Sequence, residues 1–455
     1  MNELISLGKV TTSFAATLII VLLLSSLSFL LLFGGSKKAV PGAPVHGSHW
    51  PWEPTFWLQS RFTFGARDII SSGYRKFKDR PFIVKRYDVD ITIMPNKYLE
   101  EMRLMPTTKL DGSKAQVENL LPRWTSIDTI TESNLHIRAV QNKLIVELHK
   151  YLDIAQTELN YAWPINVPSS QEWREVDIQQ MSARRIFKPL MDKHADAVIK
   201  RREGQQVDEE DTLLNWMMDH GTEDENQVDK MATRQAIITL ASVHTTSMAI
   251  INMIFDLCAY PEWVPILREE IDKITTELGP IGSTPESGSR EWLPRLEKLD
   301  SFFLESQRMS PALLLAPQRV AMEPLTLKDG TYIPKGSRIC WAGYDRINDA
   351  HVTPNPEVFD PMRSYRKRYA SLGQRHKFLA GQTSPDNLAF GYGKLACPGR
   401  AFAVGETKLI LSRLIAQYDF RFPETIRSRP ENMYADKNVF PDPNVKVMMR
   451  RRKDA

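Results

Sequence analysis

Residues 390–400, F-G-Y-G-K-L-A-C-P-G-R, constrain this chain more than any other stretch. A cysteine stands behind two glycines and directly ahead of Pro-Gly. Clusters of cysteines bind metals by number, and number is missing here: the other two, Cys258 and Cys340, are distant and sit in apolar runs. Cys397 must act alone. Gly391 and Gly393 allow a tight turn and a close approach of backbone to a flat ligand. Pro398-Gly399 closes the loop at the mouth of a helix expected to begin near Arg400. Free N–H groups at a helix N-terminus stabilise an anion, so this geometry is expected to favour a thiolate at Cys397. A buried structural cysteine in a strand–helix turn would share the same local pattern.

The second constraint lies at the N-terminus. Residues 14–33 run for 20 residues without a charge, and at ~1.5 Å per residue a helix of that length spans the ~30 Å hydrocarbon layer. A cleaved signal peptide would have a shorter apolar core and a small-residue cleavage site, so a retained anchor is the better reading. Lys37 and Lys38 follow the run, which places its C-terminal side in the cytosol. The expected division is a segment 1–36 carrying the transmembrane anchor, a Pro/Gly linker over 37–50, and one catalytic domain over 51–455. The aromatic stretch 50–57, W-P-W-E-P-T-F-W, suits a membrane interface.

Beyond the linker no repeat or composition shift occurs. The net charge of +4, from 59 basic and 55 acidic residues, gives no global field for nucleic acid. Three cysteines make no disulfide framework and agree with a reducing compartment. The strongest helix starts near Asp229, stops before Pro261 and is apolar on nearly all sides, the signature of a helix through the middle of a core. Residues 326–341 read as strands around an Asp329-Gly330 turn. The fold class is mainly α with a small β-sheet.

The pattern F-G-x-G-x-x-x-C-P-G-R resembles the haem-binding loop of the cytochrome P-450 monooxygenases, and three further motifs follow the order of that family. Glu305-Ser-Gln-Arg308 matches its E-x-x-R. Residues 355–363, N-P-E-V-F-D-P-M-R, match the segment that brings a further arginine, Arg363, to that pair. Residues 241–246, A-S-V-H-T-T, stand at the oxygen-binding groove of the central helix. The texture resembles fungal microsomal members, the ent-kaurene oxidase-like group and its secondary-metabolite relatives.

The resemblance implies a haem b whose iron takes Cys397 as axial thiolate, favouring O–O cleavage. Phe390, Gly393 and Gly399 would shape the cofactor loop, and Arg319 would meet a haem propionate. Glu305, Arg308 and Arg363 would form a structural ion-pair cluster, while Thr245 and His244 would manage the protons that dioxygen activation consumes. Residues 312–316 would wall an apolar, terpenoid-sized pocket. Electrons would come from NADPH through a separate cytochrome P-450 reductase, since the chain has no nicotinamide or flavin motif. The basic residues between 363 and 368, with Arg375 and Lys377, are the expected docking face for that partner. The implied location is the endoplasmic reticulum membrane, single-pass, with the catalytic domain cytosolic.

Three departures stand out. His244 replaces a carboxylate and Ser242 a glycine, although a histidine can relay protons near neutral pH. Leu395 replaces the basic residue that commonly meets a propionate. Only 105 positions separate His136 from Ala241, too few for the helices the family places there, and residues 184–190 read as the join of two distant segments. Two alternatives therefore stay open: a reductase-independent haem-thiolate isomerase or dehydratase, and a non-catalytic, membrane-tethered haem-binding relic.

Overall fold

The computed structural model describes residues 38–120, 122–125, 127–177 and 212–453. The apolar run at 14–33, expected to cross a membrane, and the expected join at 184–190 lie outside the described residues.

Short β-branched stretches build a five-stranded sheet ordered Phe82–Lys85, Asp90–Ile93, Arg338–Cys340, Gln318–Ala321, Leu110–Asp111. Its pairings are antiparallel except that Asp90–Ile93 runs parallel to Arg338–Cys340, with Ile93 opposite Cys340. Residues 332–340 explain the exception. Leu325–Thr326 and Tyr332–Ile333 pair around the expected turn, where Gly330 holds φ +86°. The chain then leaves that hairpin and enters the larger sheet. The Pro/Gly segment expected as a linker is itself docked on the outer strand: the Ile83 N–H donates to Pro44 O and the His46 N–H to Ile83 O, both at 2.8 Å.

The main core is helical. Arg400–Gln417, Leu148–Asn166, Trp263–Leu278 and Glu297–Met309 pack around the second half of the central helix, Val228–Ala259. Leu411, Leu414 and Ile415 are wholly buried, each contributing about 1.5–3 kcal/mol through the apolar surface removed from water. Their burial fixes the helix that begins three residues after Cys397. The start of that helix at Arg400 is where the sequence places it.

The central helix corrects the sequence reading in one respect. Ile250, Ile251 and the run 253–255 are buried, but Leu240 is 54% exposed, and Ala241, His244 and Thr245 are exposed beside it. Residues 240, 241, 244 and 245 share one face by helical spacing, and no described residue covers that face. All-round apolarity reports that a face is withdrawn from water, without distinguishing burial by protein from burial by a ligand. The second half of this helix lies within the main core, and its first turns are held by buried Arg234 and by buried Met231, which packs against Leu135, Ala139 and Met217.

Candidate active site

The cysteine loop is a closed backbone turn. The Cys397 N–H donates to Phe390 O at 2.8 Å, the Gly391 N–H to Leu388 O at 2.8 Å, and the Ala396 N–H to Gly393 O at 3.1 Å. Gly391 and Gly393 hold φ +74° and +73°, a left-handed backbone that side chains resist. At Gly393 space also decides, because a Cβ would lie 2.4 Å from Arg103 O. Cys397 is open on one side. On the others the surrounding protein pushes its thiol up by burial, opposed by the N–H groups of Gly399 and Arg400 and by the Arg400 charge. The N–H groups at the helix N-terminus thus favour the thiolate, as the sequence suggests, while burial opposes them more strongly. A coordinated metal ion deprotonates a thiol outright.

Behind the loop, Arg308 binds both carboxylate oxygens of Glu305, at 2.6 and 2.9 Å, and Arg363 Nε approaches the same group at 3.6 Å. Arg308 also donates to Pro356 O and Val358 O, and Arg363 to Pro354 O. One buried carboxylate thus ties the Glu297–Met309 helix to residues 354–363. The basic segment that follows does not form one exposed face. Arg368 is 1% exposed and pairs with Asp300, while Lys408 of the cysteine helix reaches the other Asp300 oxygen at 2.7 Å. Arg366, Arg375 and Lys377 remain outward. Position in the sequence gives charge, but only packing against Asp300 reveals which charges are spent internally.

Arg319 lies on the inner strand Gln318–Ala321 and is 8% exposed. Its guanidinium makes one hydrogen bond among the described residues, to the backbone oxygen of Gln318 at 2.7 Å. Burial lowers its pKa to about 10. A buried cation without a carboxylate contact is costly, and this one fits an anionic partner that the described residues do not supply by hydrogen bond. His136 differs: burial and the Arg234 charge push its pKa down to about 4, so the buried ring is neutral, and its Nδ1 has no hydrogen-bond partner among the described residues.

Thr245 and His244 stand on the uncovered face of the central helix. The Thr245 hydroxyl donates to Ala241 O, and the His244 ring lies 6.3 Å from that of Phe440. Phe440 belongs to the hairpin Met433–Ala435/Asn438–Phe440, whose backbone holds residues 312–314: the Leu314 N–H donates to Lys437 O and the Val439 N–H to Ala312 O. The helix face, the apolar wall and the hairpin are therefore one connected surface. No hydrogen bond among the described residues links it to the cysteine loop.

The family model for cytochrome P450 matches residues 137–449. The chain belongs to the cytochrome P450 family. It is 37% identical to cytochrome P450 monooxygenase ATR4 of Stachybotrys chlorohalonatus, covering 92% of this chain and 91% of that protein. It is 34% identical to cytochrome P450 monooxygenase sdnB of Sordaria araneosa, covering 93% and 91%. Ent-kaurene oxidase P450-4 of Gibberella fujikuroi is 32% identical, with 92% and 94% covered. The fold resembles that of the retinoic acid-bound cyanobacterial CYP120A1, with a TM-score of 0.64 at 17% identity over 91% of this chain and 100% of that one. The alignment with the Stachybotrys enzyme runs over 482 positions, more than the 455 residues of this chain, so the relative carries residues without a counterpart here.

These relationships make the chain a cytochrome P450 monooxygenase. The family carries a thiolate-ligated haem and draws electrons from a redox partner, and the residues fit that haem: an open Cys397 with N–H donors at its sulfur, a buried Arg319 with no carboxylate in hydrogen-bond contact among the described residues, and a helix face that no described residue covers. Sequence reasoning missed one part of this P450 site. Arg103 and Glu100 brace the cysteine loop from a distant helix; an E-x-x-R spacing at 100–103 was there to be read, but such spacings occur in many helices.

Proposed function

We propose that this P450 is a membrane-anchored monooxygenase that takes electrons from NADPH through a separate reductase and oxygenates an apolar, terpenoid-class substrate in secondary metabolism. The observation that carries the reading is the presence in one chain of an open Cys397 and a buried Arg319 that has no carboxylate in hydrogen-bond contact among the described residues. Cys397 would hold the iron, Arg319 a propionate, and Phe390, Gly393 and Gly399 the loop around the sulfur. When bound, the haem supplies dioxygen reduction and oxygen insertion.

The chain's own residues do the rest. Leu313 is 36% exposed and offers an apolar contact that binds hydrocarbon by removing it from water, while Leu314 and Leu315 are buried in the core behind it. Phe440 and His244 bound the same surface. Thr245 can accept a hydrogen bond while it donates to Ala241, which holds a water for proton delivery. The ent-kaurene oxidase relatives support a terpenoid, and the 20-residue apolar run supports a single-pass anchor in the endoplasmic reticulum with a cytosolic catalytic domain.

One observation favours a second reading, a haem-binding chain without turnover: the alignment with the Stachybotrys enzyme includes residues of that relative without a counterpart in this shorter chain. Membranes carrying the protein and a fungal reductase, supplied with NADPH and a panel of terpene hydrocarbons, separate the two. Oxygenated product supports the enzyme. Haem incorporation with no product from any panel member supports the relic.

A further inference from the structure

We propose that Glu100, Arg103 and Tyr392 form a clamp that positions the cysteine loop, with Tyr392 and Glu100 as positioning residues. The inference rests on the haem-thiolate reading above and extends it to residues outside the motif.

The hydrogen bonds of the cysteine loop described above are internal, so by themselves they set its shape but not its seat. The seat comes from residues 96–103. The Lys394 N–H donates to Arg103 O at 3.2 Å, and the same carbonyl occupies the space a Cβ at Gly393 would need. Tyr392 Oη donates to Glu100 Oε1 at 2.5 Å, while Arg103 Nε donates to Glu100 Oε2 at 2.5 Å. The Arg103 guanidinium also stands 5.8 Å from the centre of the Tyr392 ring. One carboxylate therefore holds both the tyrosine that opens the turn and the arginine whose carbonyl supports it.

The brace is itself fixed. Leu99 and Met102 are buried, Asn96 Nδ2 donates to Pro385 O at 2.7 Å, and Tyr98 Oη donates to Asp329 at 2.6 Å. Movement of Tyr392 relative to this helix would be transmitted through the two-glycine turn to Cys397, whose sulfur must keep its register with the N–H groups of Gly399 and Arg400. Glu100 and Arg103 are half exposed, so the contacts are weak one at a time and act together. The predicted effect is accordingly on the sulfur's seating and not on the fold.

The test uses the haem-loaded, full-length protein in its ferrous carbonyl form. At a fixed urea concentration below unfolding, the red-shifted Soret band of thiolate-ligated haem converts to the band of haem that has lost its thiolate. Tyr392→Phe should speed that conversion about 3- to 10-fold, the size of one charge-assisted hydrogen bond partly open to water. Glu100→Gln, which keeps an acceptor oxygen, should fall between it and the parent. The far-UV melting midpoint should stay unchanged in both, and the exposed Tyr332→Phe should match the parent throughout. An unchanged conversion rate in Tyr392→Phe overturns the clamp. A rate that rises only in proportion to a lowered midpoint also overturns it, since that is general destabilisation. A parent protein that never shows the red-shifted band overturns the haem-thiolate reading, and the clamp with it.

Discussion

Thr245 donates its hydroxyl to the carbonyl oxygen of Ala241, one helical turn earlier, at 2.7 Å. Threonines make this bond in ordinary helices, so the contact alone assigns no role. Its consequence is directional: the proton is committed to Ala241, and the hydroxyl oxygen keeps its lone pairs as acceptors on an exposed residue. Thr245→Val removes the acceptor while preserving shape, and Thr245→Ser keeps it. Product formed per NADPH should drop by about 100-fold in the valine variant, the lower range for a positioned proton-transfer group, with NADPH consumption retained and hydrogen peroxide released. Serine should restore coupling. Equal coupling in all three would reduce Thr245 to a helix residue.

Arg319 should reveal itself by opposite effects on two forms of the protein. Its pKa, lowered to about 10 by burial, means the charged form is disfavoured in the fold. Arg319→Leu should therefore raise the melting midpoint of the haem-free chain, by about 2 °C, while haem leaves the loaded protein faster. Measuring both, with haem loss followed by transfer to an excess of acceptor protein, checks the assignment. Faster haem loss accompanied by a lower haem-free midpoint would mean that Arg319 serves the fold and not a propionate.

Glu406, on the buried cysteine helix, supplies a pH dependence. Burial raises its pKa from 4.5 to about 8. Between those values the unfolded chain has released this proton and the folded chain still holds it, so stability falls as pH rises. The slope attributable to one such group is about 1.4 kcal/mol per pH unit. Glu406→Gln removes the titration, so the variant's advantage over the parent should grow from about pH 4.5 to about pH 8 and then level off. Urea unfolding at four pH values measures it. Parallel curves for parent and variant would contradict the burial argument.

What the sequence disclosed follows the range of the interactions. The cysteine loop, its helix, the Asp329-Gly330 turn and the Glu305–Arg308 spacing are local, and each could be read from neighbouring residues. Arg363 at Glu305 required a motif known from elsewhere. The inward turn of Arg368 toward Asp300 could not be read, because the partners are 68 positions apart and a charged run looks the same whether solvated or buried. Glu100 and Tyr392 are separated by 292 positions, and no periodicity joins them. The central helix misled for another reason: its apolar face signals exclusion of water, while a cofactor and a protein core exclude water alike.

The central claim is that Cys397 ligates haem iron through its sulfur. The direct measurement is the difference spectrum of the dithionite-reduced membrane fraction with and without carbon monoxide, for the parent and for Cys397→Ser, Cys258→Ser and Cys340→Ser. The parent and the last two variants should show the red-shifted Soret band of a thiolate-ligated ferrous carbonyl haem, and Cys397→Ser should lose it, because a serine hydroxyl is a poor soft ligand. Retention of that band in Cys397→Ser, or its absence from a haem-loaded parent, would contradict the account.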